Sequence, residues 1–398
     1  MFGSQAALNA LNFFMADVRD GLGPFLGVYL QAEKWSPAEI GLVMTLGALV
    51  GMVATAPLGA LVDRIRAKRA MVAVSAVITV LASMVILFAP GFIPTAVAQG
   101  INGVAGAAIA PAIAGITLGL VGQKGYAHQI GRNEAFNHAG NVAAAVLAGA
   151  LGYAFGIGAV FVVMAAMAVA SLIAAWFIDP KKIDHRAARG LPDKKHDGHA
   201  SSWSTLATSK PLLVLAATLM LFHLGNAAML PLLGQSLAAR GGDPSAYTSA
   251  TIVVAQLTMV PMAIFAARLA EARGYWIVFL LALLALPVRG AVASLVTGPI
   301  GLTPVQMLDG VGAGLLGVAV PGLVARILSG TGHVNAGLGA VMTMQGVGAA
   351  LSPALGGYVA QRLGYPAAFV VLGAISVVAL ALWMVTRPLT AQFGSKPA

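Results

Sequence analysis

Apolar residues occupy this chain in long blocks separated by short polar turns. The blocks fall at roughly 6–31, 38–60, 70–90, 93–121, 134–156, 158–178, 211–237, 247–267, 275–294, 303–328, 335–360 and 366–386. Each is close to the ~20 residues an α-helix needs to cross ~30 Å of hydrocarbon. The pattern therefore predicts an all-α integral membrane protein with twelve transmembrane helices. Residues Met1 to Asn12 lack a basic leader and a small-residue cleavage site, so the first span is expected to stay in the protein.

Composition narrows the function classes. Of 398 residues, 59% are hydrophobic and 9% are charged, against about 25% charged in an ordinary soluble domain. A water-soluble enzyme is excluded on that ground. With no cysteine, disulfides, thiolate metal sites and cysteine nucleophiles are all absent. The formal net charge of +10 raises nucleic-acid binding as an option, and its distribution argues against it. With both termini on the cytoplasmic side, 18 of the 23 Lys and Arg residues lie on that side, so the charge reads as topological. The expected location is a bacterial inner membrane, the expected state a monomer.

Residues 179–210 (DPKKIDHRAARGLPDKKHDGHASSWSTLATSK) differ in composition and divide the chain into bundles at 1–178 and 211–398. The segment reads as a solvated cytoplasmic linker, and its His185, His196 and His199 as part of that linker rather than a metal tract. The two halves repeat. A shift of 207 superposes Pro24 on Pro231, Gln99-x-x-Asn102-Gly103 on Gln306-x-x-Asp309-Gly310, and Gly149 on Gly356; a shift of 208 places Leu61-x-Asp63 on Leu269-x-Glu271. Six-span repeats of this kind mark secondary transporters, with substrate bound near the bilayer midplane.

The loop after the second span reads Gly59-Ala-Leu61-Val-Asp63-Arg64-Ile-Arg66-Ala67-Lys68-Arg69. It resembles the G-x-L-x-D-R-x-G-R-K/R signature of the major facilitator superfamily, with Arg66 in place of a Gly and Ala67 in place of an Arg. The resemblance implies two pseudo-symmetric six-helix bundles that rock about a central cavity. It also implies a gating role for Gly59, Asp63 and Arg64, with Asp63 on the inner end of a neighbouring helix, stabilising the outward-facing state. Gln99 stands where this superfamily often carries a proton-coupling Arg. Ser352-Pro353-Ala-Leu-Gly356-Gly357 resembles the antiporter signature G-P-x-x-G-G but lies in span 11 rather than span 5.

The strongest local signal is in the first span, Asn12-Phe-Phe-Met-Ala-Asp17-Val-Arg19-Asp20-Gly21-Leu-Gly23-Pro24. A charge at the bilayer centre costs at least ~2.5 kcal/mol, so charges there face a wet cavity or a partner. Asp17, Asp20 and Pro24 share a helical face, and the glycines and proline beside them permit a bend. Asp20 is expected to be the principal proton-coupling group, with Asp17 and Asp309 as further candidates and Arg19 as a charge that holds Asp17 ionised.

Substrate contacts are expected from polar residues on helical faces inside the spans. These are Asn102, His138 and Asn141 in the first half, and His223, Asn226, Gln256 and Gln345 in the second, together with Arg19. Glu134, one turn before His138, reads as a cytoplasmic-end ion-pair partner. Arg289, fifteen residues into span 9, reads as a buried counter-ion or a snorkelling side chain. No phosphate loop or nucleotide-binding motif occurs, and no cofactor is expected. The function read from these features is proton-coupled transport of a small organic solute by alternating access, with efflux preferred over uptake. The other readings are a divalent metal-ion transporter using Asp17, Asp20 and His223, and a membrane sensor without transport.

Overall fold

The computed structural model describes residues 3–19, 22–185, 188, 208–295, 298–329 and 334–394. Among these every regular element is helical. In the first half they are α1 (Ser4–Arg19), α2 (Pro24–Ala32), α3 (Pro37–Arg64), α4 (Lys68–Phe88), α5 (Phe92–Phe155) and α6 (Ala159–Trp176). In the second half they are α7 (Lys210–Asn226), α8 (Met229–Ala238), α9 (Pro244–Arg273), α10 (Tyr275–Leu295), α11 (Leu302–Ile327), α12 (Val334–Leu363), α13 (Tyr365–Val385) and α14 (Arg387–Gly394). Eleven helical segments among the described residues are long and apolar enough to cross a membrane. They correspond to the second through twelfth blocks of the sequence.

The first block is built differently. Its helices α1 and α2 have 16 and 9 residues, each shorter than a crossing. Gly23 between them sits at φ 49°, a left-handed conformation that glycine adopts without a Cβ penalty, and Pro24 then opens α2. The corresponding block of the second half is also interrupted, between Asn226 and Met229. There Ser352 Oγ accepts the Ala228 N–H at 2.9 Å, satisfying a donor next to the break. Ser352 of α12 thus supports this interruption.

The polar stretch between the fourth and fifth blocks is helical rather than a loop. α5 comprises two helices joined across Gly122, whose φ 65° and ψ 179° break the helical path. Fully buried side chains on either side hold this junction together. Gln129 donates to Asn9 Oδ1 at 2.8 Å and to Asn133 Oδ1 at 3.0 Å, and Asn133 donates to Thr117 Oγ1 at 2.9 Å. The network ties α1 to both parts of α5, with its amides paired against desolvation.

By contact the chain divides into two compact units. One comprises residues 1–34, 46–196 and 243–250, the other 35–45, 197–242 and 251–398. In the first, α4 packs along α5, and α1 lies against α5 and α6. In the second, α12 packs along α7, and α10 lies against α11 and α13. The sequence repeat is visible as repeated packing. A Cβ on Gly103 of α5 would strike the Gly47 carbonyl and approach Gly51 N to 2.9 Å on α3. A Cβ on Gly310 of α11 would lie 2.7 Å from Thr258 Cβ and 3.1 Å from Met259 N on α9. Glycine at both repeat positions lets the helices cross in backbone contact.

Candidate functional site

The most polar arrangement inside the spans of the second unit is centred on Arg289. This residue lies on α10, whose sequence is otherwise apolar around it (Leu283 to Val288). Its side chain is 1% exposed, so it does not snorkel; it is a buried counter-ion. Arg289 Nη1 lies 2.7 Å from Asp309 Oδ1 of α11 and donates to Asn226 Oδ1 of α7 at 2.6 Å. Nε and Nη2 of the same guanidinium have no hydrogen-bond partner.

The three helices deliver these groups by simple spacing. Asn226 is the last residue of α7, where the helix is interrupted and an amide finds room. Asp309 lies seven residues into α11, immediately before Gly310, which brings α11 against α9. A cavity of about 40 Å³ adjoins the cluster, lined by Phe222, His223, Asn226, Arg289, Asp309 and Gly312 among others. That volume suffices for a water molecule or two. His223 and Asn226, expected as a pair in the seventh block, therefore do line one cavity with Asp309.

The first half carries a neutral version of the same contact. Asn102, the repeat partner of Asp309, donates to Ser83 Oγ of α4 at 3.3 Å, and its Oδ1 has no partner. Ser83 corresponds to Gly290, beside Arg289, under the shift of 207. One polar contact between consecutive spans thus exists as amide–hydroxyl in one half and as an ion pair in the other.

The remaining expected residues are more dispersed. Asp17 is half-buried and Arg19 is exposed at the end of α1, and both have interaction partners. Asp20 lies outside the described residues. His138 and Asn141 are half-buried on α5 with Glu134 exposed on the turn before, and His138 Nδ1 has no hydrogen-bond partner. Gln256 on α9 and Gln345 on α12 are half-buried, and Gln256 Oε1 is unpartnered. Among the described residues no three His, Cys, Asp or Glu side chains converge as metal ligands; the set Asp17, Asp20 and His223 includes a member outside them.

In the loop after α3, Arg64 is exposed and Gly59 is half-buried with open space around it. The side chain of Asp63 is outside the description. Two neighbouring cations, counted in the sequence as topological charge, do structural work. Lys68 is 1% exposed, and its Nζ donates to the carbonyls of Val62 and Ile65, closing the C-terminal end of α3. Arg69 donates to the Trp176 and Ile178 carbonyls at the end of α6. Gln129 and Asn133 are further polar residues that sequence reasoning missed. Their i, i+4 spacing was the available signal.

Comparison with known proteins agrees with this architecture. The family model of the Major Facilitator Superfamily matches residues 5–306 and 291–397. Two uncharacterized MFS-type transporters from strains of Mycobacterium tuberculosis are each 44% identical over 388 residues, covering 96% of this chain and 93% of theirs. Among solved structures, a point mutant of the nucleoside transporter NupG superposes with a TM-score of 0.77 at 14% identity, covering 96% of this chain and 99% of that one. A bacterial homolog of the human lysosomal transporter Spinster, inward-facing and unoccupied, gives 0.77 at 15% identity, with 99% and 98% covered. At such identities the two structures establish the fold alone.

Proposed function

The chain belongs to the major facilitator superfamily and is a multi-pass membrane transporter rather than an enzyme, and from that premise we propose proton-coupled movement of a small organic solute by alternating access, with Asp309 as a coupling acid. The observation that carries the reading is the Arg289–Asp309 pair. An arginine 1% exposed in the middle of an apolar helix persists only with a counter-charge. Protonating Asp309 removes that counter-charge and leaves a guanidinium with two nitrogens already unpartnered. The protein then favours whichever arrangement supplies new acceptors, from a rearranged helix or from a bound solute. A proton at Asp309 thereby changes the relative energy of two states, which is what coupling requires.

Asn226 and His223 belong to this reading as the groups that share the cavity with the pair. Both sit next to the interruption of the seventh block, where movement of α7 against α8 alters their distance to Arg289. Asp17, near the end of α1, and Asp20, three residues on in the sequence, are a second acidic locus. The 44% identical mycobacterial relatives support a bacterial cytoplasmic membrane as the location.

The test begins with a thermal-shift screen of purified protein against organic solutes, nucleosides included, and divalent cations. The stabilising solute is then followed in proteoliposomes under an imposed pH gradient and in solute exchange without one. Asp309→Asn is expected to lose gradient-driven transport while retaining exchange. Gradient-driven transport equal to wild type at several pH values would assign coupling to Asp20 or Asp17 instead, and stabilisation by divalent cations alone would favour metal transport.

A further inference from the structure

We propose that the α3–α4–α5 face of the first unit is a binding site for an anionic phospholipid, with one acyl chain in an intramembrane groove and the phosphate on Arg66. A cavity of about 450 Å³ lies between these helices, bounded by Val50 and Leu58 of α3, Met71 and Ile78 of α4, and Gly100 and Val104 of α5. Among its lining residues only Ser75 carries a polar side-chain atom, and Ser75 is itself buried.

The groove follows from the packing. Gly103 holds α5 against α3 at Gly47 and Gly51, and Gly100, Ala105 and Ala108 of α5 line the groove with little bulk. The space left is wide and apolar, and it is open at the sides. Val74 and Val97 on its edges are 55% and 57% exposed, so it faces the surroundings of the helices, which for a membrane-spanning face are lipid. An aqueous solute has nothing to hydrogen-bond there, and a hydrocarbon chain fits its chemistry.

The choice of headgroup comes from the end of the groove. Leu58 is six residues from Arg64 at the end of α3, about 9 Å along the helix, and Met71 is two residues beyond Arg69 on α4. The turn between them, Arg64-Ile-Arg66-Ala67-Lys68-Arg69, carries four cations in six residues. Lys68 and Arg69 bind helix-end carbonyls and Arg64 has an interaction partner of its own, while the side chain of Arg66 is exposed. An exposed basic group at the mouth of an apolar intramembrane groove fits a lipid phosphate with an added negative charge. This site is separate from the Arg289 cluster and does not depend on proton coupling.

Native mass spectrometry of the full chain tests the proposal. The protein is delipidated in detergent and titrated with phosphatidylglycerol or phosphatidylcholine of identical acyl composition. Wild type is expected to retain phosphatidylglycerol preferentially, and Arg66→Ala to weaken it about fivefold without changing phosphatidylcholine. Gly100→Leu fills the groove; a Cβ there meets nothing closer than Leu46 Cδ2 at 3.8 Å, so the backbone need not move. It is expected to weaken phosphatidylglycerol about tenfold. Equal retention of the two lipids by wild type overturns the headgroup assignment. Unchanged phosphatidylglycerol binding in both variants overturns the site, as does a protein dimer that Gly100→Leu dissociates, which would mean that a second copy fills the groove.

Discussion

Neutralising Asp309 tests the energetic basis of the site independently of transport. In Asp309→Asn the side chain keeps its size, but the charge 2.7 Å from Arg289 Nη1 is gone. Arg289 is 1% exposed and retains Asn226 Oδ1 as a neutral acceptor at 2.6 Å; its Nε and Nη2 have no partner. Removing one member of a buried ion pair costs about 3–5 kcal/mol because the other charge is left uncompensated. We expect a loss of about 3 kcal/mol, since Asp309 is 17% exposed and adjoins a cavity. Arg289→Gln should cost a similar amount by stranding the carboxylate. The double variant replaces the ion pair with two amides, much like Asn102 against Ser83 in the first half, and should lose no more than about 1 kcal/mol. Unfolding of the full chain in mixed micelles, followed by tryptophan fluorescence, measures all three. Additivity within about 0.5 kcal/mol would refute the reasoning, because the charges would then be independent of each other.

Two further outcomes follow from other parts of the fold. Gln129→Leu leaves Asn9 and Asn133 each without a hydrogen bond they now share, and is expected to destabilise the chain by about 1–3 kcal/mol in the same unfolding assay, with gradient-driven transport retained at temperatures where it is folded. Asp63→Asn is expected to shift the population toward the inward-facing state with little loss of stability; double electron–electron resonance between spin labels at the cytoplasmic ends of the two halves reads it, and unchanged distance distributions would remove Asp63 from gating.

Much of the architecture was legible because the membrane imposes it. Every block from the second to the twelfth is a helical segment of crossing length, the seventh with a turn between Asn226 and Met229, since backbone polar groups in hydrocarbon must be satisfied within the segment. The break in the first block was also readable, from Gly21, Gly23 and Pro24 in eight residues with three charges. The partnership of Arg289 with Asp309 was not, because the residues are twenty positions apart on different helices and periodicity does not report which faces meet. The repeat contained the clue: Arg289 falls beside the counterpart of Ser83, the residue that Asn102 contacts. The polar residues from Gln123 to Asn133 suggested a loop, whereas Gln129 and Asn133 bury their amides by pairing with each other and with Asn9. Lys68 shows the limit of counting charge by side of the membrane, for its ammonium is spent on the carbonyls ending α3.

The central claim is that a proton on Asp309 is linked to solute movement, and the proton itself can be followed. Proteoliposomes loaded with a pH-sensitive dye are given a gradient of the solute found by thermal shift, with no pH gradient imposed. Wild type is expected to change the lumenal pH as solute moves, with a sign that gives symport or antiport, and Asp309→Asn to move solute with no pH change. A pH change in Asp309→Asn equal to that of wild type would contradict the claim.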